Sequence, residues 1–167
     1  EAYTSVQAGI DSAASGDEVW VAEGSYVAGT TYTGTIQLKA NVAVYGGFAG
    51  TETTRTERDV VAHATVLSGD VNGDDDGFTN NGENVYHVVT GAAGATLDGF
   101  TIEGGNASGT SNAGNAGGLF TYNYAVTVAN CTFRYNRAAQ KGGAVYLYGN
   151  SSFTDCVFEH NNGQYGG

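Results

Sequence analysis

The chain has 167 residues, of which 41% are apolar and 14% charged, enough apolar residues to form one buried core. Asp and Glu outnumber Lys and Arg by 17 to 6, and the net charge of -11 opposes binding to nucleic acid or to anionic lipid. No apolar run is long enough to cross a bilayer, so we do not expect membrane insertion.

The N-terminal region predicts a secreted protein and a short helix. No signal peptide precedes the first residue, which is not Met, so we expect an extracellular or cell-surface protein in its mature form after signal-peptide removal. Val6 and Ile10 follow helical spacing, and Thr4 or Ser5 provides an N-cap. Residues 1–18 are therefore predicted to form a cap at one end of a repeat array.

Short strands bounded by Gly, Asn or Asp follow over residues 19–103. Glycine is frequent, at 27 residues, and proline is absent, a composition typical of many short strands joined by tight corners. The predicted strands are Val19–Ala22, Thr35–Leu38, Val42–Tyr45, Ala64–Leu67 and Val85–Thr90. We interpret them as the first coils of the array, irregular in length because a loop at residues 69–84 interrupts them.

This loop carries the sharpest local signal for a ligand. From Asp70 to Gly77, oxygen ligands fall at positions 1, 3, 5 and 7 of a tight turn, and hard cations such as Ca²⁺ need an oxygen cluster of this kind. The predicted Ca²⁺ ligands are Asp70, Asn72, Asp74, Asp76 and Glu83. The pattern departs from the EF-hand loop, because the glycine comes at Gly73 and the twelfth residue is Asn81 rather than glutamate. A solvated acidic loop without a cation is the alternative.

A segment rich in Gly, Ser and Asn, residues 104–116, is predicted to leave the array as an inserted loop. Directly before it, the sequence follows the register of the later coils. That register places Phe100 beneath Cys131 and Ile102 beneath Phe133. The chain is expected to rejoin the array after the insertion.

The remaining segment, 117–167, repeats with a period of about 25 residues. The pairs in register are Gly117 and Gly142, Cys131 and Cys156, Phe133 and Phe158, and Asn136 and Asn161. Parallel strands of adjacent coils lie about 4.8 Å apart, so equivalent side chains stack on each other. The repeat predicts an all-β fold, a right-handed parallel β-helix with coils of about 25 residues and an uncapped C-terminal coil.

Two kinds of stacked pair are predicted inside this array. Strand alternation turns Phe133 and Phe158 inward, so their rings should stack in the core. Asn136 and Asn161 fall at the corner after that strand, where each amide can bond its counterpart one coil away. We interpret these two residues as an asparagine ladder.

The only cysteines, Cys131 and Cys156, lie on adjacent coils at a spacing inside the usual Cα range of a disulfide. Secretion favours oxidation, but parallel in-register Cβ atoms are slightly too far apart without added twist. Two outcomes stay open, a disulfide or two small buried core residues.

Tyrosines near the repeats form a candidate contact surface. The register turns Tyr122 inward beside Leu147, whereas Tyr124, Tyr146 and Tyr148 are expected to offer rings for sugar stacking or for contact between subunits. The three histidines lack metal-ligand spacing, and we interpret them as structural or surface residues.

Two short motifs connect the repeats to a known group. GGA[ILV] occurs as Gly142–Val145 and in looser form as Gly117–Phe120, and FxxN occurs as Phe133–Asn136 and Phe158–Asn161. With these motifs the chain resembles secreted bacterial β-helix proteins akin to the passenger repeats of polymorphic outer-membrane proteins. Residues 5–11 are similar to the first turn of pectate-lyase-like solenoids. The resemblance implies the parallel β-helix fold, which serves adhesins, surface proteins and enzymes alike.

We therefore expect an extracellular structural or surface protein, a homo-oligomer that self-associates through its open coil end into a filament or surface assembly. An adhesive role is compatible with such an assembly. The alternatives are a Ca²⁺-dependent polysaccharide lyase and a carbohydrate-binding β-helix, with polysaccharide as the partner.

A lyase would need a cationic base to remove a proton from the sugar. The candidates are Lys39, Arg55, Arg58, Arg134, Arg137 and Lys141. Arg134 and Arg137 lie near a corner, but the acidic loop is several coils away in sequence. No catalytic residue is therefore assigned.

Overall fold

The structure is a computed structural model that describes residues 2–167. Within them the chain forms four β-sheets, in which neighbouring strands are always parallel, and one α-helix. Three single turns of 3-10 helix lie in the connections, at Arg55–Glu57, Asn81–Glu83 and Ser111–Gly114. The predicted dominance of parallel β structure is confirmed.

The strands are numbered β1 to β17 in chain order. Sheet I consists of β1 (Glu18–Ala22), β4 (Ala43–Phe48), β7 (Thr96–Asp98), β11 (Thr127–Ala129) and β15 (Ser152–Thr154). Sheet II consists of β2 (Gly24–Val27), β5 (Thr65–Ser68), β8 (Thr101–Glu103), β12 (Thr132–Arg134) and β16 (Val157–Glu159). Sheet III consists of β9 (Asn106–Ala107), β13 (Arg137–Lys141) and β17 (Asn162–Tyr165). Sheet IV consists of β3 (Ile36–Gln37), β6 (Val89–Thr90), β10 (Leu119–Phe120) and β14 (Val145–Tyr146).

The chain visits these sheets in a fixed rotation, and one passage is termed a circuit. The first two circuits run through sheets I, II and IV, the next two add a strand of sheet III before sheet IV, and the fifth has strands in sheets I, II and III. Each strand pairs with its equivalent in an adjacent circuit. Thr127 pairs with Ser152 and Thr132 with Val157, so the period predicted from the sequence is confirmed for the last two circuits.

Single residues in the left-handed backbone region turn the chain from one sheet to the next. At the corner between sheets I and II these residues are Gly99, Asn130 and Asp155. At the corner between sheets II and III they are Gly104, Tyr135 and His160. Their φ angles lie between +50° and +87°, a region that costs energy for residues other than glycine. Tyr135 and His160 occupy equivalent corners, and their rings stack with centroids 5.2 Å apart.

The structure corrects two strand assignments. All five predicted early strands overlap a strand of the structure, but β2 was not predicted, because its sequence Gly-Ser-Tyr-Val lacks clear apolar alternation. Residues 106–107, predicted to lie in the insertion, form β9 and pair with Arg137 and Ala138 of β13. The segment outside the sheets therefore begins after Ala107.

Inward-facing apolar side chains form columns through successive circuits. In sheet I the column consists of Val44, Leu97, Val128 and Phe153. In sheet II it consists of Leu67, Ile102, Phe133 and Phe158, which confirms the predicted position of Ile102 beneath Phe133. In sheet IV it consists of Ile36, Val89, Leu119 and Val145. Their buried members belong to one continuous core.

The predicted N-terminal helix is confirmed as α1 (Val6–Ser12), which packs against β1 and β3. Ser5 caps it, because its Oγ accepts the backbone N–H of Ala8 at 3.2 Å. Val6 and Ile10 are buried in the core. Among residues 2–167 no helix combines the length and the apolar character that a bilayer crossing requires.

Replacing Phe133 with alanine is expected to lower the free energy of unfolding by about 3–5 kcal/mol, because the ring is fully buried between Ile102 and Phe158. Phe158→Ala is the matched control, since this ring belongs to the same column but is 50% exposed. We expect it to cost about half as much or less. Urea unfolding followed by circular dichroism measures both changes, and equal losses would contradict the assigned burial.

Candidate functional site

The acidic loop, residues 69–84, follows β5 and is organised around Asp70. Asp70 Oδ1 accepts the backbone N–H groups of Gly73 and Asp74 at 2.6 and 3.3 Å, and Oδ2 accepts that of Asp75 at 3.0 Å. Gly73 has a φ of +74°, which lets the chain turn tightly around this carboxylate. The turn brings Asp75 toward the protein.

Four acidic side chains converge in this loop. Asp70, Asp74, Asp75 and Glu83 each offer one carboxylate oxygen, and these oxygens lie within 4.8 Å of one another. Three of these four residues belong to the predicted ligand set, and Asp75 was missed.

The remaining predicted carboxylate ligand, Asp76, lies outside this group. Asn72 is exposed, and Asp76 has its backbone paired to Thr79. The prediction placed the ligands at alternate positions of a tight turn. The turn around Asp70 breaks that alternation, so Asp75 rather than Asp76 joins the cluster.

The carboxyl group of Asp75 is partly buried in the loop. Burial raises its pKa to about 6, against the opposing effect of the hydrogen bond from Asn84, and the neighbouring charges of Asp70, Glu83 and Asp74 raise it further. Its Oδ2 accepts Asn84 Nδ2 at 2.6 Å, whereas its Oδ1 is buried without a hydrogen-bond partner. Neutralising this carboxylate would therefore stabilise the loop.

Asn84 closes the loop from the protein side and was not predicted. It is 1% exposed, and its Nδ2 donates both to Asp75 Oδ2 and to Gly104 O, each at 2.6 Å. Its Oδ1 is buried without a partner, as is Glu83 Oε1. The orientation of the amide is fixed, because Nδ2 donates to two oxygen atoms. A flipped amide would place Oδ1 against these same two oxygens, Asp75 Oδ2 and Gly104 O. Asp75, Glu83 and Asn84 thus each bury one oxygen that lacks a donor.

The cluster borders a cavity of about 220 Å³. Its lining residues are Ser68, Asp70, Asp75, Gly77, Glu103, Gly104 and Tyr135. Arg134 Nε donates to Glu103 Oε2 at 2.6 Å, so one cation lies beside this cavity. The loop and Arg134 are several coils apart in sequence, but β5, β8 and β12 are consecutive strands of sheet II, so the loop that follows β5 and Arg134 on β12 lie two circuits apart.

The predicted asparagine ladder is present at the corner between sheets II and III. Asn136 is fully buried, and its Nδ2 donates to Ile102 O at 2.8 Å while its Oδ1 accepts Gly105 N–H at 3.1 Å. Asn161 repeats this arrangement one circuit later, donating to Phe133 O at 2.8 Å and accepting the N–H of Asn136 at 3.1 Å. The rings of Phe133 and Phe158 stack in the adjoining column, 5.1 Å apart and nearly parallel.

The tyrosines differ from their predicted arrangement. Tyr122 was expected inside but is 51% exposed, and its ring lies 5.6 Å from that of the exposed Tyr148. Tyr146 was expected outside but is half-buried, stacked on Phe120 at 6.1 Å. Tyr124 is exposed as expected. Sheet IV contains only two-residue strands here, so strand alternation does not extend to residues 122 and 148.

Cys131 and Cys156 are both free thiols, so the disulfide left open by the sequence is absent from the structure. Cys131 is 1% exposed and its Sγ faces Leu97 O at 3.7 Å. Burial raises the pKa of the Cys131 thiol to about 12, which keeps it protonated. Cys131 belongs to the core, and Cys156 is partly buried and packs against it.

Most of the candidate lyase bases have structural partners. Lys39 donates to the carbonyls of Asp11 and Ala13 at the end of α1, Arg55 pairs with Glu18, Arg58 pairs with Asp98, and Arg134 pairs with Glu103. Lys141 lies over the ring of Tyr146 at 5.9 Å. Of these cations, only Arg134 adjoins the acidic cavity through its partner.

Comparisons with known proteins identify no family for the chain. It matches no protein-family model, no curated protein and no solved structure. The resemblance to passenger repeats and to pectate-lyase-like solenoids therefore stays an expectation. Any assignment of function depends on the contacts described above.

One histidine is built into the aromatic packing. The His87 ring stacks on Phe120 at 4.8 Å, and its Nδ1 donates to Ala116 O at 2.8 Å. Burial lowers the pKa of His87, while the bond to Ala116 opposes this shift. His87 is therefore a neutral structural residue near pH 7.

As the pH falls, the His87 ring is protonated in the unfolded chain before it is protonated in the folded protein, because folding lowers its pKa. The stability that His87 contributes is therefore present above its ordinary pKa of 6.5 and falls as the pH drops toward the lowered pKa of the folded protein. His87→Phe keeps a stacking ring but removes the titration. We expect this variant to show a flatter loss of stability below pH 6.5, measured by urea unfolding at several pH values. His160→Phe is the control, and an unchanged slope in His87→Phe would contradict the assignment.

Proposed function

We propose that the chain is a right-handed parallel β-helix that serves as a structural or surface module outside the cell and self-associates through its last circuit into a filament or surface assembly. The observation that carries this proposal is the parallel, in-register pairing of equivalent residues in successive circuits. A circuit paired in this way is a template for another circuit of the same kind.

The fixed rotation through four parallel sheets supports the β-helix part of the proposal. Crossover connections between parallel strands of one sheet are right-handed in nearly all known cases, which favours a right-handed β-helix. The absence of proline and the 27 glycines suit such tightly repeated corners.

The self-association part is supported by an apolar area formed by the fifth circuit and the end of the fourth, termed the last-circuit surface. It surrounds an open cavity of about 620 Å³ whose lining includes Val145, Leu147, Phe153, Phe158 and Tyr165. Phe158 and Tyr165 are 50% and 65% exposed. Exposed apolar areas of this kind are typical of protein interaction surfaces.

Hydrogen bonding favours a second copy of this chain as the occupant. The backbone N–H of Asn136 donates to the side chain of Asn161 in the next circuit. The backbone N–H of Asn161 lies at the equivalent position and would donate to an asparagine of a further circuit. An incoming strand with an equivalent amide would continue the ladder. At the other end, α1 packs against β1 and β3, so a filament requires the last-circuit surface of one copy to bind the α1 end of the next, whereas two last-circuit surfaces that bind each other stop at a dimer.

The net charge of -11 makes copies repel each other at low salt. We therefore expect particle size to grow with protein concentration, and more strongly at about 0.5 M than at about 0.05 M NaCl, because salt screens this repulsion. Light scattering and negative-stain microscopy measure the growth. Dispersed monomers at high concentration in both salts would overturn the proposal.

A matched pair of variants on β16 tests which surface is used. Phe158→Glu places a charge in the apolar column and should abolish growth, whereas Val157→Glu adds the same charge on the opposite face of the strand at a similar exposure, 52%. Circular dichroism checks that both variants keep their β structure. Equal assembly by the two variants would remove the last-circuit surface from the mechanism.

A polysaccharide lyase is the second candidate function, favoured by the Arg134–Glu103 pair beside a cavity that contains Asp70 and Asp75. A cation at the acidic residues would neutralise the carboxylate of an acidic sugar, and Arg134, which is bonded to Glu103 of the cavity lining, would serve as the base. Incubation with a polyuronate and Ca²⁺ should then produce the ultraviolet absorbance of an unsaturated product, lost in Arg134→Gln. No absorbance with wild-type protein removes this candidate and leaves the structural function in place.

A further inference from the structure

We propose that the acidic loop is a binding site for one Ca²⁺ ion, held by the buried oxygens of Asp75, Glu83 and Asn84 together with Asp70 and Asp74. This inference is independent of self-association, because it concerns a site inside one copy. It also replaces the ligand set that the alternation of the sequence predicted.

Two separate observations point to a cation at this position. The first is the convergence of four carboxylate oxygens within 4.8 Å, where ionised groups repel each other unless a cation lies between them. The second is the side chain of Asn84, which is 1% exposed, donates into the cluster through Nδ2, and leaves its Oδ1 buried without a partner. Buried polar atoms are nearly always satisfied by protein, water or an ion.

Neighbouring groups do not supply the missing donors. Asp75 Oδ1, Glu83 Oε1 and Asn84 Oδ1 are all buried and all acceptors, so they cannot bond one another while the carboxyl groups are ionised. Arg134, beside the cavity, is already bonded to Glu103. A small cation satisfies several acceptors at once, which no single hydrogen-bond donor can do.

The ligand chemistry selects Ca²⁺. Every available atom is a carboxylate or amide oxygen, as hard cations prefer, and the cluster contains no histidine or cysteine. Three backbone N–H groups occupy Asp70, which leaves about one lone-pair position there for an ion. With one oxygen each from the five residues, water completes the six to eight ligands of Ca²⁺, whereas Mg²⁺ demands a stricter octahedron.

Such an ion would tie both ends of the loop to the third circuit. Asp70 follows β5 closely, and Val85 N–H, next to Asn84, donates to Gly69 O at 3.0 Å. Asn84 also donates to Gly104 O at the corner between sheets II and III, at 2.6 Å. The ion therefore stabilises the junction between the second and third circuits rather than a free surface loop.

The test uses dilute protein, in which self-association does not contribute, after removal of metal with a chelator. Addition of Ca²⁺ alone should give saturable one-site binding by calorimetry and raise the melting temperature by about 5–10 °C at saturation. Mg²⁺ should bind at least about tenfold more weakly. Terbium provides a second readout, since Tyr135 lines the same cavity as Asp70 and Asp75 and should sensitise its luminescence.

Asp75→Asn and Asp76→Asn form the matched pair of variants, with the same change of charge in adjacent residues, one inside the cluster and one outside it. Asp75→Asn should weaken Ca²⁺ binding by about tenfold or more, and Asp76→Asn by about twofold or less. Both should keep the wild-type circular dichroism in chelator, because neither side chain belongs to the core. No melting shift and no binding heat for wild type, or equal losses in the two variants, would overturn the site.

Discussion

Parallel pairing between equivalent strands of adjacent circuits is the constraint on which the rest of the structure depends. Side chains alternate between the two faces of a strand, so a slip of one residue would turn a whole column outward. Sheet II keeps Ile102 against Phe133 and Phe133 against Phe158 across two such pairings. The core is therefore specified circuit by circuit, and each circuit depends on the register of its neighbour.

This constraint applies to the strands and leaves the connections free to vary. Ala43 of β4 pairs with Thr96 of β7 in the next circuit, although the acidic loop lengthens the chain between them. The loop leaves the sheets after β5, and the chain rejoins them at β6, before β7 begins. The extra residues change no register between β4 and β7. A loop with its own chemistry can therefore lie beside a regular core without disturbing it.

Two buried asparagines show how a structural position differs from a candidate site. Asn136 occurs at a repeated corner, and both ends of its amide are bonded, to Ile102 O and to Gly105 N–H. Asn84 is equally buried but occurs once, and its amide oxygen has no partner. A fully bonded amide is explained by the fold, whereas an unsatisfied one next to carboxylates needs a ligand to explain it.

The sequence by itself determined the period, the N-terminal helix and the columns of the last circuits, because these follow from local spacing, which in the repeats recurs from one circuit to the next. It also located the acidic loop. Only the tertiary structure decided that β2 and β9 are strands, since their short sequences depend on pairing with Thr65–Ser68 and Arg137–Ala138 rather than on intrinsic pattern.

The same division holds at the candidate site. Composition along the loop indicated oxygen ligands, but the turn around Asp70 brings Asp75 rather than Asp76 into the carboxylate cluster, and Asn84 contacts Asp75 and Gly104. Burial, which raises the pKa of Asp75 to about 6 and leaves Asn84 Oδ1 unsatisfied, arises only when strands distant in sequence become neighbours. The sequence specifies the type of each residue, whereas the burial of its side chain depends on which circuits pack together.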